Sequence, residues 1–197
     1  MDSSIGNRCA LRYAKKMHVL ISGGPGSGCT STAKILGELL SFPIFDSDTF
    51  FFKPTSPPYQ EQNSPEERIQ LLSAALEQSD DWIISGSIAT WNLDLPVIDY
   101  GFFMDTSKTE RLRRLELRER ERFGSRIDVG GDMHTENREF MEWASAYEDR
   151  IGVGRNRSMD REFLIQRCEI FMEIDHSQSL DKTAARIHSL LNKPTNA

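Results

Sequence analysis

The sequence predicts an α/β fold: a five-stranded parallel sheet lying between two layers of helices. Three observations point to it. Short apolar runs recur at intervals that leave room for a helix between them. These runs are continuous rather than alternating, as strands buried on both faces require. The first is followed by a glycine-rich turn that opens directly into an amphipathic segment. Strands that alternate with helices pair in parallel, because each crossover returns along one face of the sheet. At 197 residues the chain fits one such domain and buries a core without staples.

The elements follow in order. Val19, Leu20 and Ile21 form the first strand, and Ala33, Leu36, Leu39 and Leu40 line the helix after the glycine turn, which stops before Pro43. Pro43, Ile44 and Phe45 make a second strand ending at Asp46. A helix over 65–78 is announced by Ser64 as N-cap, Pro65 at the first position and Glu67 at the third. That is the reciprocal capping pattern, with proline where its missing N–H costs nothing. Trp82, Ile83 and Ile84 form the third strand, closed by Ser85, Gly86 and Ser87, and 97–104 contains the fourth. A long charged helix is expected over 107–123, a glycine-bearing turn over 124–134, helices over 135–150 and near 159–167, a fifth strand over 169–174 and a closing helix over 180–191. The domain then spans 17–193, with a lid at about 118–138.

Bulk properties narrow the function. The net charge of −6 argues against general nucleic-acid binding, which needs a basic surface to neutralise phosphates. No apolar run approaches the ~20 residues of a membrane-spanning helix. Cys9, Cys29 and Cys168 are odd in number and widely spaced, giving neither a disulfide framework nor a metal-ligand spacing. A cytoplasmic protein without nucleic-acid or membrane partners is expected. Residues 1–16 are polar and basic with no apolar stretch, so they are not a secretory signal. Either they are a non-native arm with Met17 as the natural start, or they are a disordered arm; a transit-like segment is the weaker alternative.

The chemistry concentrates at the first turn. Gly23, Gly24, Pro25, Gly26, Ser27, Gly28, Cys29, Thr30 and Ser31 stand between a strand and a helix. Gly23, Gly28 and Thr30 satisfy the phosphate-loop spacing G-x-x-x-x-G-x-T in its required context. Glycines let the backbone turn its N–H groups inward as an anion nest, and the helix start adds the positive end of its dipole. These nine residues are therefore expected to bind the phosphates of ATP or another nucleoside triphosphate, with the Thr30 hydroxyl on Mg²⁺. The lysine usually found before Thr30 is Cys29. A single well-placed cation on a transferring phosphoryl is worth roughly 10³–10⁵ in rate, so either another cation replaces it or turnover is poor. Cys29 itself reads either as a thiol acidified by the helix N-terminus or as a small filler.

Asp46 and Asp48 lie at the carboxyl end of the second strand, the edge where ligands bind in open α/β sheets. They either flank one site or, in the case of Asp46 and Ser47, cap the next turn. No aspartate ends the third strand, where Ser85 and Ser87 stand. Phe50, Phe51 and Phe52 wall an acceptor pocket or belong to the core. Seven arginines fall between Arg111 and Arg126. At ~100° per residue, Arg111, Arg114, Arg118 and Arg122 share one stripe, and Arg138 can reach back from the following helix. These are the candidate replacements for the lysine. The competing reading is an ordinary solvated helix carrying the pairs Glu110–Arg114 and Glu116–Arg120. His134 in the lid turn is either a catalytic group or a helix-end partner. Asp175, His176 and Ser177 follow the fifth strand.

The run Gly26-Ser27-Gly28-Cys29-Thr30 resembles the loop of a bacterial P-loop kinase group related to adenylate and shikimate kinases, often labelled AAA family ATPases. Within that group a subfamily reads G-x-x-G-S-G-[TC]-T, without the lysine. The resemblance extends to Phe45-Asp46-Ser47-Asp48 with Pro54, Pro57 and Pro58, to Ser85-Gly86-Ser87 with Trp91, and to Arg122-Phe123-Gly124, Arg126-Ile127 and Gly130-Gly131-Asp132-Met133. It covers roughly 17–191. It implies a P-loop fold of nucleoside and shikimate kinase type with a helical lid. It also implies Asp48 as the group facing the acceptor, Asp46 beside Thr30 as a Mg²⁺ ligand, and Arg114 and Arg118 facing the nucleotide as lid arginines do in adenylate kinases. The implied activity moves the γ-phosphoryl of Mg·ATP to an unidentified small-molecule acceptor, with Asp48, Arg114, Arg118 and Arg138 as catalytic residues. The alternative is a nucleotide-binding sensor with little or no catalysis, because Cys29 has replaced the lysine.

Overall fold

A computed structural model describes residues 16–152, 154–175 and 178–192. The arm before Lys16 with Cys9, the loop residues His176 and Ser177, and the domain end at 193 lie outside the described residues. Strands β1 (His18–Gly23), β2 (Ile44–Asp46), β3 (Trp82–Ser85), β4 (Ile98–Asp105) and β5 (Cys168–Asp175) form one sheet in the order β2-β3-β1-β4-β5. Every neighbouring pair is parallel. All strands therefore deliver their carboxyl ends to one edge, and β1 delivers the glycine turn to the middle of it. Register sets Ser85 beside both Ile21 and Asp46.

The helices are α1 (Cys29–Leu40), α2 (Ser47–Phe51), α3 (Pro65–Leu76), α4 (Lys108–Phe123), α5 (His134–Ser145), α6 (Arg157–Arg167) and α7 (Leu180–Leu191). The two-residue alternation of β1 divides the core. Val19 and Ile21 pack with Ala33 and Leu36 of α1 and Ile187 and Leu191 of α7, while Leu20 packs with Leu72 of α3 and Leu164 of α6. Val19, Leu20 and Ile21 are all fully buried, each worth roughly 1.5–3 kcal/mol relative to exposure. This is why the strand reads as an unbroken apolar run.

Local chemistry sets the ends. Ser64 Oγ accepts from Glu67 N at 3.1 Å, and Ser64 N donates to Glu67 Oε2 at 2.7 Å, so α3 starts where the capping pattern says. Two features depart from the sequence reading. Asp46 is the N-cap of α2, a short helix the sequence analysis left out, and its Oδ1 accepts from Asp48 N at 3.1 Å. The helix expected to run to 150 stops at Ser145, where the chain tightens and Tyr147 N bonds back to Ala144 O at 3.5 Å. That tightening turns Tyr147 and Glu148 toward the glycine turn. No helix among the described residues is long and apolar enough to cross a membrane.

Candidate functional site

The glycine turn is held from outside by its carbonyls. Arg155 Nη2 donates to Gly23 O at 2.6 Å, Arg111 Nη1 to Pro25 O at 2.6 Å, and Thr106 Oγ1 to Ser27 O at 3.2 Å. Ser27 N closes on Gly24 O at 2.9 Å, and Thr32 N on Gly28 O at 2.9 Å. Gly26 and Gly28 take φ of 80° and 90°, a region open to glycine and strained for other residues. A Cβ on Gly26 would also lie 2.5 Å from the carbonyl oxygen of Arg111. Gly28 caps α1 without a side-chain hydrogen bond, so the first-turn amides carry no side-chain cap. Such a helix start attracts anions through its dipole and its free N–H groups.

Of the residues expected to bind phosphate, Thr30 and Ser31 sit in that first turn, half-buried and exposed respectively. Cys29 points into the core beside Ala33 and Leu36 and keeps 8% of its surface. Burial pushes its thiol up to about 11, against a smaller opposing contribution from the Ser27 hydroxyl 3.2 Å away. Burial of the side chain favours the filler of the two readings of Cys29. Desolvation, the largest influence on the thiol, works against the acidified one.

The arginine stripe of α4 divides. Arg111 is 1% exposed and spends its donors on Pro25 O, on Ala144 O and on Glu148 Oε1, which lies 2.5 Å from Nη2. Arg114 is held by Glu110 at 2.8 Å, as the i,i+4 reading expected. The other expected pair does not form: Arg120 reaches Asp128 at 2.7 Å in the lid turn instead of Glu116. Arg118 and Arg122 share Glu119, and both act on the charge of Asp48. Arg138 stands apart, in a groove with Leu112, Glu116 and His134. His134 Nδ1 meets Ile127 O at 3.0 Å and so ties the lid turn to the start of α5.

Asp48 is open to solvent at the head of α2. It nonetheless lies among enough protein that desolvation, and after it the Asp46 charge, raises its carboxyl above the usual range, while Arg155, Arg118 and Arg122 oppose the rise. Phe50 and Phe51 pack against the core, and the guanidinium of Arg68 stacks 4.6 Å from the Phe51 ring. No three His, Cys, Asp or Glu side chains converge among the described residues. The oxygen ligands present at this edge are the Thr30 hydroxyl in the first turn of α1, the Asp46 carboxylate at the end of β2 and the buried, unpartnered Ser85 Oγ at the end of β3. They suit a hard cation such as Mg²⁺, which keeps most of its shell as water and phosphate oxygens.

A cluster absent from the sequence reading completes the site. Asp160, 1% exposed on α6, accepts from Ser87 Oγ at 2.5 Å, Tyr147 Oη at 2.9 Å and Arg155 Nε at 3.1 Å. Burial, and after it the Asp160 charge, drives the Tyr147 hydroxyl far up, so it stays a donor. The available signal was a basic residue just past Gly152 and Gly154, ahead of the N-cap Asn156.

No family model matches the chain. It is 25% identical over 179 residues to an uncharacterized Bacillus subtilis protein, YqaC, across 90% of this chain and 98% of that one. A cytidylate kinase of Pyrobaculum neutrophilum is 27% identical over 115 residues, covering 53% of this chain and 62% of the enzyme, less than two thirds of its length. A shikimate kinase structure from Bacteroides thetaiotaomicron superposes with a TM-score of 0.53 at 13% identity, over 90% of this chain and 99% of that one. At that identity the likeness is one of fold. The parallel five-stranded sheet with its helices has the P-loop kinase fold of shikimate kinase.

Proposed function

We propose that this chain is a small-molecule or nucleotide kinase that binds Mg·ATP on the glycine turn and moves its γ-phosphoryl to an acceptor bearing an anionic group. The turn carries the proposal. With the carbonyls of Gly23, Pro25 and Ser27 held by Arg155, Arg111 and Thr106, and Ser27 N closed on Gly24 O, the turn's other amides serve as donors for phosphate oxygens. The partial likeness to a cytidylate kinase and the shikimate kinase fold support the same class.

In this scheme the residues from Gly23 to Ser31 hold the triphosphate. Thr30 and Asp46 hold Mg²⁺, which when bound neutralises phosphate charge. The new bond forms between an acceptor oxygen and the γ-phosphorus as the bond to the bridging oxygen breaks, leaving ADP. Asp48 orients the acceptor and takes its hydroxyl proton, and a carboxyl with raised proton affinity suits that task. Arg118 and Arg122 face the acceptor's anionic group. Arg114 and Arg138 join the phosphates on lid closure, which also excludes water.

Incubation with ATP, Mg²⁺ and a panel of nucleoside monophosphates, nucleosides, and carboxylated and neutral polyols tests this, with ADP followed over time. ADP formation that depends on the anionic acceptors is expected. Tight ATP binding without ADP across the panel would favour the second reading, a nucleotide sensor. Two observations speak for it: a neutral, buried Cys29 in the lysine position and serine rather than aspartate at the end of β3.

A further inference from the structure

We propose that Arg155 supplies the phosphate-facing positive charge that a P-loop ordinarily takes from its lysine. The inference rests on the nucleotide-binding reading above and names the cation that reading lacks. Cys29 is a buried thiol, so the lysine position itself offers no positive charge. The guanidinium of Arg155 touches the loop through Gly23 O at 2.6 Å.

The anchor is built to hold a charge. Asp160 is fully buried at its side chain and accepts from Ser87, Tyr147 and Arg155. Desolvating such a carboxylate costs several kcal/mol, which the facing guanidinium offsets. Holding one carbonyl oxygen needs only a neutral donor. The chain reaches this geometry through Gly152 and Gly154, at φ of 83° and 95°, and Asn156 Nδ2 ties the turn by donating to Gly154 O at 3.1 Å.

The arginines of the α4 stripe are all paired in this conformation. Arg111 is 1% exposed, with its Nε, Nη1 and Nη2 all spent. Arg114 is held by Glu110, and Arg118 and Arg122 by Glu119. Arg155 keeps 22% of its side-chain surface, and its Nη1 has no partner among the described residues. A guanidinium fork with one arm on the loop and the other free suits a polyphosphate oxygen.

Calorimetric titration of the full chain with Mg·AMP-PNP and with Mg·ADP tests this. Arg155→Gln/Asp160→Asn removes the charge without leaving a buried carboxylate unpaired. It should weaken Mg·AMP-PNP roughly 10- to 100-fold, the scale of one charge-assisted hydrogen bond, and Mg·ADP less. Arg155→Lys, which keeps the charge, should retain most of the affinity, and Cys29→Lys added to the double variant should restore part of it. A double variant that binds within about threefold of wild type would overturn the proposal, as would equal losses for both nucleotides without rescue by Cys29→Lys. Wild-type protein that binds neither nucleotide would overturn the kinase reading itself, and the wild-type titration alone reveals that outcome.

Discussion

Arg111 Nη1 donates to the carbonyl oxygen of Pro25 across 2.6 Å, fastening the first turn of α4 to the middle of the glycine turn. The contact explains glycine positions that phosphate binding alone does not. A Cβ on Gly24 would lie 2.9 Å from Arg111 Nε and 2.9 Å from the Tyr147 ring, and one on Gly26 would meet the Arg111 carbonyl. The loop is thus packed against an ion pair whose guanidinium is buried, Arg111 with the half-buried Glu148, before any ligand arrives.

That pair makes a prediction about stability. Arg111→Ala leaves Glu148, whose Oε2 already lacks a partner, facing protein without its cation. Breaking one side of a buried pair costs about 3–5 kcal/mol, here toward the lower end because the Glu148 side chain retains 26% exposure. Urea unfolding should show that loss, and Arg111→Ala/Glu148→Ala should recover part of it. A double variant no more stable than the single one would mean that the lost packing of the guanidinium, not the stranded carboxylate, sets the cost.

Cys29 predicts a specific alkaline weakness. An ordinary thiol titrates at 9.0 and this one, desolvated, near 11. Between those values the unfolded chain releases a proton that the folded chain keeps, so stability falls as pH rises, by ~1.4 kcal/mol per pH unit from this group. Below the lower value the thiol contributes no slope. Denaturation midpoints taken from pH 8 to 11 should therefore fall less steeply for Cys29→Ala than for wild type. Cys168, also raised, is common to both proteins and cancels. Parallel curves would refute the buried-thiol account.

What the sequence made legible follows from locality. The glycine turn, the strands and the Ser64–Glu67 cap are each specified within a few residues, so spacing alone finds them. The helical stripe of Arg111, Arg114, Arg118 and Arg122 was geometrically sound. Periodicity says which residues share a face, however, and not what packs on that face, so the buried role of Arg111 stayed hidden. Helix α2 was missed because its aromatic-rich run has no helical period of its own and forms where the Asp46 carboxylate caps it. Arg155 was invisible for a stronger reason. Arg155 stands in a loop with no periodic signal, its acceptor Gly23 lies 132 residues away at the end of β1, and only the tertiary fold brings them together.

Asp48 carries the last prediction, because its environment opposes its charge. With the folded carboxyl raised above the ordinary 3.8, the folded chain binds more proton than the unfolded one between those two values. Stability is therefore lost as pH rises through that window, and ionised Asp48 weakens the fold at neutral pH. Asp48→Asn removes the charge and keeps the shape. It should raise the melting temperature at pH 7 and lose that advantage below about pH 4, where the unfolded carboxyl is protonated too. The same variant should lower turnover, and the wild-type rate should fall on the acid side above the usual carboxylate range. A group placed for chemistry at the expense of stability shows both effects together. If Asp48→Asn melts below wild type at pH 7, then Arg118, Arg122 and Arg155 outweigh desolvation and Asp46, and the carboxylate is a structural counter-ion rather than a proton acceptor.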